Sequence, residues 1–291
     1  MELNYIETPA NEGGAAVPGC GTIHLSEIRA TLNALSDDLE LPFDLNDYVL
    51  GSTGKREYSG DIDLVVDNKW WGYGPAVLRD DLEGLYGKEN LARNGTMLHL
   101  RYPIKNYNPA LNKRLPRTGY VQIDFNFGDA DWERFYHFSP GDASAYKGAH
   151  RNLIIAAITT VVDILSSREV DGYNRPIEII RWKWSPLGFI RVHRRSETDP
   201  RSGVWKRAQK DTDIKSTVDP EEVAKILLPV DGTVKDLESL ESIMSAVRRN
   251  FGMVDQERIW KRAASNFYDW PAGRNFYYPT EISRYFPPND K

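Results

Sequence analysis

Apolar residues recur at Ile28, Leu32, Leu35 and Leu39, a spacing that predicts an amphipathic helix over residues 23–40. Asp47 to Leu50 reads as a short strand ending at Gly51, and Ile62 to Val66 as a second. An aromatic, Gly-rich turn follows from Trp70 to Pro75. Ala76 to Tyr86 then reads as a helix with Val77, Leu82 and Leu85 turned inward. Thr96 to Ile104 alternates weakly and predicts a strand. Tyr120 to Phe127 alternates throughout: Val121, Ile123, Phe125 and Phe127 face one way, Gln122, Asp124 and Asn126 the other. Residues 143–166 are apolar almost all round and predict a helix buried as a spine between two parts. The runs IEIIRWKW and FIRVHRR, joined by Ser185-Pro186-Leu187-Gly188, predict a hairpin. Its expected apolar face carries Ile180, Trp182, Trp184, Ile190 and Val192. Its expected basic face carries Arg181, Lys183, Arg191, His193 and Arg195.

Asp219-Pro220-Glu221-Glu222 marks a helix start, with a cap, a first-turn Pro and a capping-box Glu. Leu237 to Phe251 and Glu257 to Phe267 predict two more helices. The aromatic, Pro-rich tail predicts irregular chain packed over the surface. Together the elements predict an α+β fold: a mixed sheet flanked by helices in residues 1–142, then a mostly helical part with a hairpin in 143–291.

The 291 residues are 41% hydrophobic and 27% charged, enough apolar surface for a real core. No apolar run reaches the ~18 residues a membrane helix needs, and the first residues lack the basic start and apolar run of a signal peptide. One cysteine, Cys20, excludes an internal disulfide and argues against a thiolate zinc site. These features point to a cytoplasmic protein. The net charge of −5 is unevenly spread: residues 181–210 carry +7 and the remainder −12. That asymmetry suggests an anionic partner on one surface. The five histidines show no ligand spacing and read as structural.

The chemistry concentrates in VLGSTGKREYSGDIDLVV, residues 49–66. It is not a P-loop: that motif needs Gly where Val49 stands and Ser or Thr where Arg56 stands. Gly51 at a strand end lets backbone N–H groups approach phosphate oxygens, and Ser52 adds a hydroxyl donor. Lys55 and Arg56 supply cations for a triphosphate, with Ser59 a further hydroxyl in the same block. Asp61 and Asp63, two apart on a strand, project from one face. Adjacent carboxylates repel unless a cation sits between them, and hard oxygen ligands in an open site favour Mg²⁺. Asp124 is a third carboxylate if its strand pairs with theirs.

Leu50-Gly51-Ser52, Asp61-Ile62-Asp63-Leu64 and Ile123-Asp124-Phe125 together resemble the DNA polymerase β-like nucleotidyltransferase superfamily over residues 49–127. The resemblance implies a nucleoside triphosphate held at Gly51 and Ser52, and two Mg²⁺ on Asp61 and Asp63. It implies that Asp124 ligates one metal and helps activate an acceptor hydroxyl. A basic residue on the helix after the third acid contacts the triphosphate in several branches, which makes Lys147, with Arg151 one turn on, the candidate.

The implied reaction is transfer of a nucleotidyl group to a hydroxyl with release of pyrophosphate. An RNA or tRNA end is the first choice of acceptor, on the basic segments, with Arg181, Lys183, Arg191 and Arg195 as its contacts. A protein side chain (including the toxin-type reaction) or a small molecule follows. A basic loop with Arg101, Lys105, Lys113, Arg114 and Arg117, and with Tyr102 and Tyr107 as stacking partners, is expected near the site. The rival class is a noncatalytic nucleic-acid or assembly-binding protein on the same scaffold.

Overall fold

The computed structural model describes residues 16–67, 74–95, 97–111, 117–166, 178–195, 197–198, 205–206, 213–270 and 277–286. The chain is mixed α and β, and it divides into two compact units, Met1–Ala145 and Tyr146–Lys291.

The first unit opens with β1 (Ile23–His24) and helix α1 (Leu25–Asp38). A reciprocal capping box starts α1: the His24 ring accepts from Ser26 N, and the Glu27 carboxylate accepts from His24 N. Its buried stripe is Ile28, Leu32 and Leu35. β2 (Tyr58–Ser59) pairs with β1, and β3 (Asp61–Val66) follows at once. Helix α2 (Pro75–Tyr86) has Pro at its first turn and ends at Gly87, whose φ of 81° suits glycine. It buries Leu78 and Leu82, whereas Val77 and Leu85, expected inward, are about half exposed. The expected turn at Trp70 to Pro75 lies largely outside the described residues.

β4 (Leu91–Asn94), β5 (Met97–Pro103) and β6 (Tyr120–Phe127) complete a four-stranded sheet in the order β3-β6-β5-β4. β3 and β6 run parallel; the other pairs are antiparallel. One face, with Ile62, Leu64, Val66, Ile123, Phe125 and Leu100, packs with α1 and α2 into the main core. Helix α3 (Ala130–Tyr136) closes the segment, capped by Asp129 on the backbone N–H groups of Asp131 and Trp132. The strand expected at Asp47 to Leu50 is instead a 3₁₀ turn at Leu45–Tyr48, with a single antiparallel bridge from Val49 to Leu64.

The second unit is built on α4 (Gly148–Ser166), which packs against β7 (Glu178–Ser185) and, further along the chain, α7 (Met253–Asp269). It is the one described helix long and apolar enough to cross a membrane, and half of that stretch is buried in the fold. Ile164 and Leu165 at its C-terminal end are exposed, so it is not apolar-packed all round.

β7 and β8 (Gly188–Arg195) form the expected hairpin, followed by the short pair β9 (Glu197–Thr198) and β10 (Trp205–Lys206). A third strand, β11 (Asp213–Thr217), adds to β8. Helices α5 (Pro220–Leu227), α6 (Leu240–Asn250) and α8 (Thr280–Ser283) complete the unit. Within the tail, residues 277–286 pack into the unit: Tyr278 and Ile282 are buried and Tyr278 stacks 4.3 Å from Phe267.

Candidate functional site

Strand alternation sorts the sheet of the first unit into an oily face and a polar one. Asp61 and Asp63 of β3, Gln122, Asp124 and Asn126 of β6, and His99 and Arg101 of β5 all lie on the polar face. Asp63 is the direct neighbour of Asp124 across the parallel pair, and Asp124 the direct neighbour of His99 across the antiparallel one. The polar side of β6, opposite the apolar set, is buried as well, with Gln122, Asp124 and Asn126 all under 6% exposed.

The Asp63 carboxyl group is pushed well above the usual carboxylate range. Burial is the main cause, the charges of Asp61 and Asp124 add to it, and His137 and an Asn126 hydrogen bond oppose it. Two donors converge on Asp124 Oδ1: Gln122 Nε2 at 2.7 Å and His99 Nδ1 at 2.8 Å.

The Gly51-Ser52 block lies along the free edge of β3. Leu50 N donates to the Asp63 carbonyl at 2.8 Å, and Asp63 N donates to the Thr53 hydroxyl at 3.3 Å. Gly51 therefore abuts the Asp63 side chain. Its φ is +66°, and a Cβ there would sit 3.0 Å from Asp63 Oδ2. Gly54 has a similar φ of +75° but open space around it. Gly51→Ala and Gly54→Ala should therefore each lose ~1–2 kcal/mol of stability to left-handed strain, and only Gly51→Ala should also displace Asp63. Calorimetry with Mg²⁺ and a nonhydrolysable triphosphate is expected to show ~10-fold weaker binding for Gly51→Ala than for Gly54→Ala. Equal affinities would remove Gly51 from the site.

Other expected ligands are placed differently. Lys55 donates to the Ser139 carbonyl at 2.9 Å, lies 4.8 Å over the Phe138 ring, and has its ammonium pKa lowered by burial. Arg56 reaches the Gly141 carbonyl at 3.4 Å. Both cations thus brace the loop after α3. Ser59 is buried in the β1–β2 pair, with its side chain enclosed and not open to a phosphate. Lys147 and Arg151 belong to the second unit. Arg151 is fully buried, donates to the Leu237 carbonyl and Asn152 Oδ1, and lies 5.6 Å over Trp184, so it packs the core of that unit. The Lys147 backbone N–H caps onto His150 Nδ1 at 3.0 Å.

The basic loop, too, differs from the expectation. Arg117 is buried against Glu27, Tyr102 is buried with its hydroxyl on Asp38, and Arg101 lies 3.8 Å over Tyr120. Tyr107 packs on the core beside Arg117. Lys113 and Arg114 lie outside the described residues.

The hairpin does not form a single basic face. Arg181 lies opposite Val192 and Lys183 opposite Ile190, whereas Trp182 lies opposite Arg191 and Trp184 opposite Phe189. Directly opposed residues share a face, and a two-residue turn pairs odd positions with even ones. Exposed Arg181 and Lys183 therefore sit on one face. Arg191 sits on the other, beside the Trp182–Phe189 stack at 4.7 Å. The strand position of Arg195 is described, its side chain is not.

Two histidines read as structural border the acids. His99 bonds Asp124, and His137 acts electrostatically on Asp63 while its Nε2 lies 3.1 Å from Glu133 Oε2. Backbone N–H groups of Ala16 and Val17 donate to Gln122 Oε1 at 3.0 and 3.1 Å, so the segment before β1 lies beside the same face. Cys20 is in that segment. Burial pushes its thiol to about 11, with Arg101 opposing the rise and Asp124 adding to it, so it is no nucleophile at neutral pH. Among the described residues no three His, Cys, Asp or Glu side chains close around a metal-sized point. Comparison with protein-family models and with curated proteins finds no match to the chain.

Proposed function

We propose that the first unit is a nucleotidyltransferase core of the DNA polymerase β-like type, which moves a nucleoside monophosphate from a triphosphate to a hydroxyl and releases pyrophosphate. The observation that carries this reading is the juxtaposition of Asp63 and Asp124 as registered neighbours on parallel strands, with Asp61 two positions away and Gly51 against Asp63. A half-open set of carboxylates fits Mg²⁺, which keeps water and substrate phosphates among its ligands and so needs no closed protein cage. Asp61, Asp63 and Asp124 would hold the metal, which when bound neutralises their repulsion and polarises the triphosphate and acceptor oxygens. Gly51, with no side chain, brings its backbone close beside Asp63, Ser52 offers a hydroxyl, and Asp124 would help activate the acceptor hydroxyl.

The acceptor we assign is an RNA end, on the +7 charge of residues 181–210. The division of Arg181 and Lys183 from Arg191 between two faces favours, as a second reading, a protein or small-molecule acceptor. Incubation with each α-³²P-labelled triphosphate, Mg²⁺ and either total RNA or total protein separates them. Label is expected in RNA, and Asp63→Asn should abolish it. Label in protein would select the second reading. Label in neither, with pyrophosphate release absent for every triphosphate and acceptor, would favour a noncatalytic binding protein.

A further inference from the structure

We propose that Gln122 and His99 are positioning residues that hold Asp124 by one oxygen and so present the other to the metal; this rests on the nucleotidyltransferase reading above. Gln122 Nε2 and His99 Nδ1 both lie within 2.8 Å of the same atom, Asp124 Oδ1. The two nitrogens lie only 3.4 Å apart. That proximity follows from two donors sharing one acceptor, and the carboxylate acceptor places a proton on His99 Nδ1.

The amide of Gln122 cannot turn over without losing both its ends. Its Oε1 already accepts from the backbone N–H groups of Ala16 and Val17, so its NH₂ is committed to Asp124. The result is a directed chain: the segment before β1 orients Gln122, and Gln122 with His99 orients Asp124. Gln122, Asp124 and His99 are each 5% exposed or less, so water competes poorly for these bonds. Oδ1 is saturated by two donors, and Oδ2 is the oxygen left to approach a cation beside Asp63.

Buried donors can also serve merely to satisfy a buried carboxylate. The two roles differ in what they move. A satisfying bond affects stability; a positioning bond affects metal affinity and kcat, because ligands one shell out typically change either by ~10–100-fold. Four variants separate them. Gln122→Glu keeps the acceptor for Ala16 and Val17 but replaces the donor with a second acceptor. His99→Leu removes Nδ1, while His99→Asn restores an N–H near the same place. Asp124→Asn removes the metal-facing charge.

Mn²⁺ is titrated by electron paramagnetic resonance in the presence of a nonhydrolysable triphosphate, and steady-state rates are measured on the same full-length proteins. Gln122→Glu and His99→Leu are expected to weaken Mn²⁺ binding and lower kcat by ~10–100-fold with KM for the triphosphate within ~3-fold. His99→Asn is expected to recover both to within ~3-fold of wild type. Folded variants with wild-type Mn²⁺ affinity would overturn the proposal, as would His99→Asn behaving like His99→Leu. Wild type that binds no Mn²⁺ would instead overturn the nucleotidyltransferase reading, and this inference with it. A variant that does not fold is replaced by Gln122→Met, which keeps volume and loses the donor, read by the same two outcomes.

Discussion

On the nucleotidyltransferase reading, Asp63→Asn and Asp124→Asn are each expected to reduce nucleotidyl transfer by ~1,000-fold or more, since losing a carboxylate that would hold the metal removes several kcal/mol of transition-state stabilisation. Asp63→Asn should do so without loss of stability. Its carboxyl group is raised by burial first and by Asp61 and Asp124 next, so the fold disfavours its charged form. The sign of the pH dependence follows. Stability from this group is full below the ordinary aspartate value of 3.8 and declines as pH rises toward its elevated folded value. Metal-free wild type should therefore lose melting temperature on that climb, and Asp63→Asn should lose less. Mg²⁺ with triphosphate should return the loss in wild type alone, by binding only the native state. Turnover equal to wild type in Asp63→Asn would refute the cation-holding role, and melting curves of the two that move together with pH would refute the raised carboxyl.

The part of this site that was legible in sequence is the part that is local. Gly51, Asp61 and Asp63 fall within thirteen residues, and strand alternation alone puts the two acids on one face. The same alternation along β6 exposed Gln122, Asp124 and Asn126 as a set, though not what each amide holds. What was illegible depends on register between distant strands. His99 meets Asp124 only because β5 pairs antiparallel with β6 at that offset, and Ala16 meets Gln122 across more than a hundred residues.

The hairpin shows the same limit at short range: its two strands are legible, but whether Arg181 and Arg191 share a face turns on the parity of a two-residue turn, which puts them on opposite faces. The phase of helix α2 is ambiguous in sequence for a related reason, because Val77, Leu78, Leu82 and Leu85 offer more than one apolar stripe. The sheet selects the one through Leu78 and Leu82. Lys55, Arg56 and Arg117 read as available cations in sequence, which does not show the carbonyls and the carboxylate that engage them.

Arg117→Met is expected to be the most destabilising single change discussed, at ~3–5 kcal/mol, because it strands a buried carboxylate. Arg117 Nη2 lies 2.6 and 2.9 Å from the two oxygens of Glu27, and both side chains are under 5% exposed. Burial alone would raise the Glu27 pKa. The Arg117 bond and the backbone N–H groups of Asn108 and His24 outweigh it and hold the group below the usual range. The pair therefore stabilises the fold above the ordinary glutamate value, and that contribution is lost as pH falls through the lowered folded value. A loss of that size in a chain this long should lower the melting temperature on the order of 10 °C. Glu27→Gln/Arg117→Met should recover most of it, since replacing both members of a buried pair leaves no charge uncompensated. The double variant tests more than stability. Glu27 ties residues 108 and 117 of the β5–β6 connection to the start of α1, which makes that connection a strut rather than a substrate arm. If it is a strut, the double variant should retain wild-type KM for triphosphate and acceptor alike. If acceptor KM rises tenfold while stability is unchanged, Arg117 contacts substrate, and the buried pair is not what holds the loop.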